Sequence, residues 1–280
     1  LAQLQATGNL LDIRAQLDAS TEARAKNHTQ AHLQARIQPW GKWLLQELQG
    51  EIKQLNLAVF APQLPSTNIS GQLLPQLAGL STTAGSADSL HIDLENTAAQ
   101  PWDAGGLPIS RVQGQLLWQH EQLRVPKLSL HSGAGQLQIQ GHWQANTGAW
   151  QVQGQALDLD LALLHSAFAS SRVQGDISAS QAAPALAAAE KNAPPSPAPI
   201  AFALDLNNTA ANAGKNGQQL DIRSAQAQGS WQNGALNLPK LQLQTSDAQL
   251  QGSAHYASAA QQAQLDLHIN APGLTGQAKG

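Results

Sequence analysis

The chain has 280 residues, a formal net charge of -3, 12% charged and 4% aromatic residues, and neither cysteine nor methionine. Disulfides, thiolate metal sites and cysteine nucleophiles are therefore excluded. With no basic stripe, nucleic-acid binding and capture by anionic membranes lose their electrostatic basis.

Residues 1–38 alternate around Leu10, Leu17, Leu33 and Ile37 with a polar interruption over 21–27, which predicts a strand pair. Trp40, Trp43, Leu44, Leu48 and Ile52 then recur at helical spacing and predict one amphipathic helix over 41–53. Such a helix docks on its own sheet or lies at a membrane interface. Residues 1–54 thus form a β-rich segment carrying that helix. From Leu55 onward, short alternating segments are joined by turn-like pieces such as Asn146-Thr147-Gly148 and Gln232-Asn233-Gly234-Ala235. Connections this short join antiparallel neighbours, so a meander is expected. Residues 181–199, rich in Ala and Pro, read as a dispensable surface loop. No stretch is long and apolar enough for a spanning helix. The chain opens on Leu1 inside an alternating segment and lacks Met, which reads as an internal fragment whose anchor lies elsewhere.

Seven glycines, Gly71, Gly114, Gly141, Gly154, Gly175, Gly229 and Gly252, fall in the apolar phase of strand-like alternation. Glycine in step with Leu, Ile, Val and Trp removes bulk from one face only. Either the sheet is crowded where it bends, or room is left for a guest along the apolar face.

The same windows repeat. Leu55-Asn56-Leu57 through Gly71 matches Leu159-Asp160-Leu161 through Gly175 at an offset of 104. Asp93-Leu94-Glu95-Asn96-Thr97 answers Asp205-Leu206-Asn207-Asn208-Thr209, and Pro126-Lys127-Leu128 answers Pro239-Lys240-Leu241. Two tandem units of roughly a hundred residues, 55–156 and 157–280, are expected. At both Pro-Lys pairs the apolar phase switches parity, which predicts a bulge: proline cannot donate to the ladder, and one extra residue exchanges the faces.

Chemistry-bearing constellations are sparse. His28 and His32 have the spacing of a helical metal pair but no third ligand, and the other strand histidines fall in the outward phase. Asp158 and Asp160 alternate with Leu157, Leu159, Leu161 and Leu163, the polar side of an amphipathic strand rather than an acid/base pair. No nucleophile elbow, phosphate loop or dinucleotide fingerprint is present, and neither an enzymatic activity nor a cofactor is expected.

The run Trp40–Leu48, then Leu55-Asn56-Leu57, Leu64-Pro65-Ser66-Thr67 and Gly71, with a degenerate copy from Leu157 to Gly175, resembles the periplasmic region of TamB-like proteins of the AsmA-like superfamily. The second copy departs in having Phe168-Ala169 where the first has Leu64-Pro65. The resemblance implies an elongated antiparallel sheet folded into a U-shaped, taco-like hydrophobic groove. It also implies a periplasmic location with an anchor in the bacterial inner membrane, and phospholipid transport between the two membranes. In unit one the groove would be lined by Ile69, Leu73, Val112, Leu116, Leu128, Leu130, Leu137 and Ile139. Leu159, Leu161, Val173, Ile177, Leu241, Leu243 and Leu250 would line it in unit two. The partners implied are phospholipid acyl chains, a TamA-like outer-membrane barrel protein and outer-membrane protein clients. A scaffold for barrel assembly by strand addition and a secreted, adhesin-like β-solenoid with a closed core are the alternatives.

Overall fold

The computed structural model describes residues 2–9, 12–20, 30–37, 45–61, 63–76, 88–119, 121–184, 198–210, 221–258, 262–272 and 274–279. The chain divides into two compact units, Leu1–Gly133 and Ala134–Gly280.

In the first unit the described residues form β1 (Ala2–Asn9), β2 (Asp12–Ser20), β3 (Gln30–Ile37), β4 (Leu45–Leu55), β5 (Ile69–Gln76), β6 (Asp88–Asn96), β7 (Arg111–Gln119) and β8 (Gln122–Ser132). Each pairs antiparallel with the next. The second unit runs β9 (Gly135–Gln144), β10 (Trp150–Leu159), β11 (Val173–Gln181), β12 (Ile200–Asn208), β13 (Ile222–Gln232), β14 (Ala235–Thr245), β15 (Gln249–Ala257), β16 (Gln262–Ala271) and β17 (Leu274–Lys279). These too pair in sequence order. The fold is mainly β, built as open antiparallel meanders. Its one α-helix among the described residues, α1 (Leu161–Leu164), is a single turn. No helix among them is long and apolar enough to cross a membrane.

Local chemistry accounts for the meander. Asn233 and Gly234 both have positive φ, 49° and 78°, the conformation that a two-residue hairpin requires and that Asn-Gly adopts most readily. At each Pro-Lys pair one strand carries an extra residue. Gln115 pairs with Lys127 but Leu117 with Arg124, and Gln228 pairs with Lys240 but Ser230 with Asn237. The bulges that the parity switch predicted lie where the prolines are.

The helix expected over 41–53 is corrected by β4. Leu45–Leu55 is a strand paired on both sides, and 41–44 lie outside the described residues. Leu48 and Ile52 are four apart, a spacing that satisfies a period of 3.6 and a period of 2 alike. Around them Glu47, Gln49, Glu51 and Lys53 alternate, and Gly50, a poor helix residue, continues the apolar phase between them. Strands on both sides decide in favour of the ladder. Of the Ala/Pro segment, 185–197 also lie outside the described residues, while β11 ends at Gln181 and β12 starts at Ile200.

A second correction concerns Leu157–Leu163, read above as one alternating strand. The strand ends at Leu159. Asp158 has φ 52° and sits in a bulge between Ala156, paired with Gly175, and Leu159, paired with Val173. Asp160 then caps α1 by accepting from Ala162 N at 3.1 Å, and it also accepts from Ser171 N at 2.9 Å and Ser170 Oγ at 2.9 Å. Asp160 is therefore an organiser of the β10–β11 connection and not a solvated strand residue. The β4–β5 connection is built alike: Gln54 has φ 52°, and Asn56 Oδ1 accepts from Ala58 N at 3.1 Å and Thr67 N at 3.2 Å. The hydroxyl partners also correspond, with Thr67 Oγ1 accepting from Leu57 N at 3.0 Å and Ser171 Oγ from Leu161 N at 2.7 Å.

Candidate functional site

Strand register collects the apolar residues into rows that cross each unit. In the first unit Leu73, Ile92, Gly114 and Leu128 form one row across β5–β8, and Gly71, Leu94, Val112 and Leu130 the next, with Leu116 opposite Leu90. Ile69 stands at the end of this face between Leu55 and Asn96. In the second unit one row runs Ile139, Gly154, Ile177, Leu204, Ala227, Leu241, Gly252 and Leu267. Its neighbour runs Leu137, Ala156, Gly175, Leu206, Ala225, Leu243, Leu250 and Ile269. A third places Gly141, Val152, Ala179, Phe202 and Gly229 together.

Each expected lining residue falls on the apolar face of its own unit except Leu161, which the Asp160 cap carries off the strand into α1. Leu159 keeps its place opposite Val173. The rows also contain Ile92, Leu94, Leu204, Leu206, Leu267 and Ile269, which the sequence reading passed over although they alternate with Asp93, Asp205, Asp266 and His268 in the same way.

Burial on this face is shallow. Leu90, Ala156 and Val173 are buried, but the other members of the first two rows of each unit are half-buried or, for Ile177, exposed. Among the described residues no large side chain is fully buried. A continuous apolar surface in this state retains free energy that a covering layer would release, at about 25 cal/mol per Å².

The glycines divide by what a Cβ would meet. At Gly71, with φ 150°, it would run into the Asp93 carbonyl oxygen, and at Gly175, with φ 148°, into that of Asp205. Gly114 meets Lys127 O at 2.7 Å and Gly141 meets Gln151 O at 2.6 Å, while Gly229 and Gly252 run into the carbonyl oxygens of Asn237 and Asp266. Gly154 alone of the seven has ordinary room, with Leu137 Cδ1 at 3.4 Å. Close approach of neighbouring backbones therefore accounts for six of them.

The opposite face is polar. Gln72, Asp93, Gln113 and Ser129 form one row, and Asp176, Asp205, Gln226 and Gln242 its counterpart in the second unit. A shallow hollow of about 660 Å³ opens over Asp93, Gln113, Gln115 and Lys127, and one of about 230 Å³ over Asp205, Gln226, Gln228 and Lys240. Arg111 donates from Nε and Nη2 to the two oxygens of Asp93 at 3.1 and 3.0 Å. This pairing holds the Asp93 carboxyl below its ordinary range, against the smaller opposing effect of burial. His91 lies on this face with Nε2 3.3 Å from Gln115 Nε2. His32 lies on β3, where helical spacing no longer applies, and His28 is outside the described residues. No cluster of three metal-ligating side chains occurs among the described residues.

Comparison of the chain with family models, with curated proteins and with solved structures returned no match.

Proposed function

We propose that the chain is a lipid-bearing β-sheet segment of the TamB-like kind, in which the aligned apolar rows receive phospholipid acyl chains while head groups stay in water. The observation that carries this reading is the state of those rows: eight residues long in the second unit, aligned by register, and half-buried at all but Ala156 and Ile177. Each methylene moved from water onto such a surface contributes about 0.8 kcal/mol, so a sixteen-carbon chain gains on the order of 12 kcal/mol before ordering costs. The taco-like groove is the form a sheet takes when it curls over such a guest.

Support for tandem repetition comes from irregular features that coincide. The positive-φ residues Gln54 and Asp158 are 104 apart, as are the Asn56 and Asp160 caps. Asn96 Oδ1 accepts from Asn68 N at 2.9 Å and Ala98 N at 3.3 Å, as Asn208 Oδ1 does from Arg172 N at 2.9 Å and Ala210 N at 3.0 Å. A periplasmic setting and an outer-membrane barrel partner belong to the same proposal and rest on the resemblance alone.

Native mass spectrometry of the 280-residue chain purified from a membrane-containing host tests the reading. Co-purified phospholipid, released by denaturation, is the expected result. A chain that carries none, even after incubation with phospholipid, overturns it.

A further inference from the structure

The loops joining β4 to β5 and β6 to β7 invert the usual polarity at a few positions. Two small polar side chains are turned inside, Thr67 in the first loop at 4% and Asn96 at the end of β6 at 5% exposure. Four large apolar side chains are outside, Val59 at 57%, Phe60 at 56%, Leu64 at 42% and Trp102 at 53%, while Leu57, Leu107 and Ile109 are half-buried. Loops ordinarily place these classes the other way round.

The inversion is held in place by hydrogen bonds. Asn56 and Thr67 satisfy the backbone of the first loop, and Thr67 Oγ1 also donates to Leu55 O at 2.9 Å. Asn96 Nδ2 donates to Ile109 O at 3.1 Å across the second. The two loops are tied to each other by Ser66 N donating to Gly105 O at 2.9 Å and by Asn68 Nδ2 donating to Thr97 Oγ1 at 2.8 Å. Both emerge from the same end of the first unit, because β4 and β6 finish where β5 and β7 begin. With the backbone committed in this way, the loops cannot collapse to hide their apolar side chains.

We propose that this end of the first unit is a membrane-contact patch, in which Val59, Phe60, Leu64 and Trp102 seat in the boundary between head groups and acyl chains of an electrically neutral lipid surface. Residues 55–68 contain no charged side chain, and 97–110 contain one, Asp103. That balance gives an anionic surface nothing to attract and leaves insertion of apolar tips as the driving force. Trp102 suits the boundary because its ring is apolar and its N–H polar. The patch is separate from the apolar rows, so it stands or falls independently of the lipid-bearing sheet.

Flotation of the full chain with phosphatidylcholine vesicles is the test. The wild type is expected to float, and Phe60→Ser combined with Trp102→Ser is expected to lower the bound fraction about tenfold or more. The exposed positions leave melting temperature and β-sheet circular dichroism unchanged, and lipid carried by the sheet in native mass spectrometry also stays unchanged. Leu241→Arg, which acts on the rows, should still float. The proposal is overturned by a wild type that does not float, by equal flotation of the double variant, or by flotation that requires phosphatidylglycerol. Concentration-dependent self-association lost in the variant, with no flotation by the wild type, would overturn it in favour of a second copy as occupant.

Discussion

Asp160→Ala should destabilise the second unit well beyond a surface substitution. It removes the acceptor for Ala162 N at 3.1 Å, Ser171 N at 2.9 Å and Ser170 Oγ at 2.9 Å. Loss of a helix-capping acceptor costs about 1 kcal/mol, and leaving the part-buried Ser171 N–H without a partner costs roughly 1–3 kcal/mol more. The sum, about 2–4 kcal/mol, corresponds to a fall in melting temperature on the order of 10 °C for a unit of this size. Asn56 supplies an internal control, because its amide oxygen already accepts from the two equivalent backbone donors at 3.1 and 3.2 Å in the first unit. Asp160→Asn should therefore cost less than about 1 kcal/mol, since one oxygen accepts both backbone donors and the exposed Ser170 hydroxyl turns to water. Thermal melts followed by circular dichroism, with urea titrations to confirm an unchanged slope, compare the three proteins. An Asp160→Ala protein as stable as wild type, or an Asn variant as unstable as the Ala variant, would refute the assignment of Asp160 as the organiser of this connection.

Gly175→Ala should lower the urea midpoint sharply, because its Cβ would run into the Asp205 carbonyl oxygen at φ 148°, whereas Gly154→Ala, with its nearest neighbour at 3.4 Å, should be nearly neutral. Equal effects in a parallel titration would contradict the packing of β10–β12. Leu241→Arg should reduce phospholipid recovered in native mass spectrometry while Gln242→Arg leaves it unchanged, since the two point to opposite faces of β14; the reverse order would reassign the faces. The Asp93–Arg111 pair lies on the surface and contributes only a small, solvent-screened stabilisation. Because the native Asp93 pKa is depressed below about 3.8, this contribution is present above that value and disappears as pH falls through the native pKa. Arg111→Gln should thus be less stable than wild type at neutral pH and converge with it in acid, which chemical denaturation across pH will show.

The period-of-two alternation made most of the fold legible. Antiparallel strands with one apolar face put Leu73 and Leu128 in one row and Val112 in the next because side chains two apart share a face. The Pro-Lys bulges were legible for a related reason: one inserted residue exchanges the faces, and parity in the sequence records it. At β4 the same logic failed. Leu48 and Ile52 carry no information that separates a helix from a strand, so only the neighbours β3 and β5 could decide.

The sequence by itself determined that this is a sheet with a neutral polar face and an apolar face, since side-chain alternation is a property of the local backbone. It also showed similar short segments at offsets of 104, 112 and 113 residues, which are visible without coordinates. What each motif does was decided by contacts over many residues. Asp160 looked like one more outward residue until Ser171, eleven positions away, donated its N–H to it. Gly71 fitted both a crowded bend and a space for a guest until the Asp93 carbonyl of the next strand was found where its Cβ would be. Phe60 and Trp102 carried no pattern at all, because their display depends on Thr67 and Asn96 turning inward to satisfy backbone that only the folded loops bring within reach.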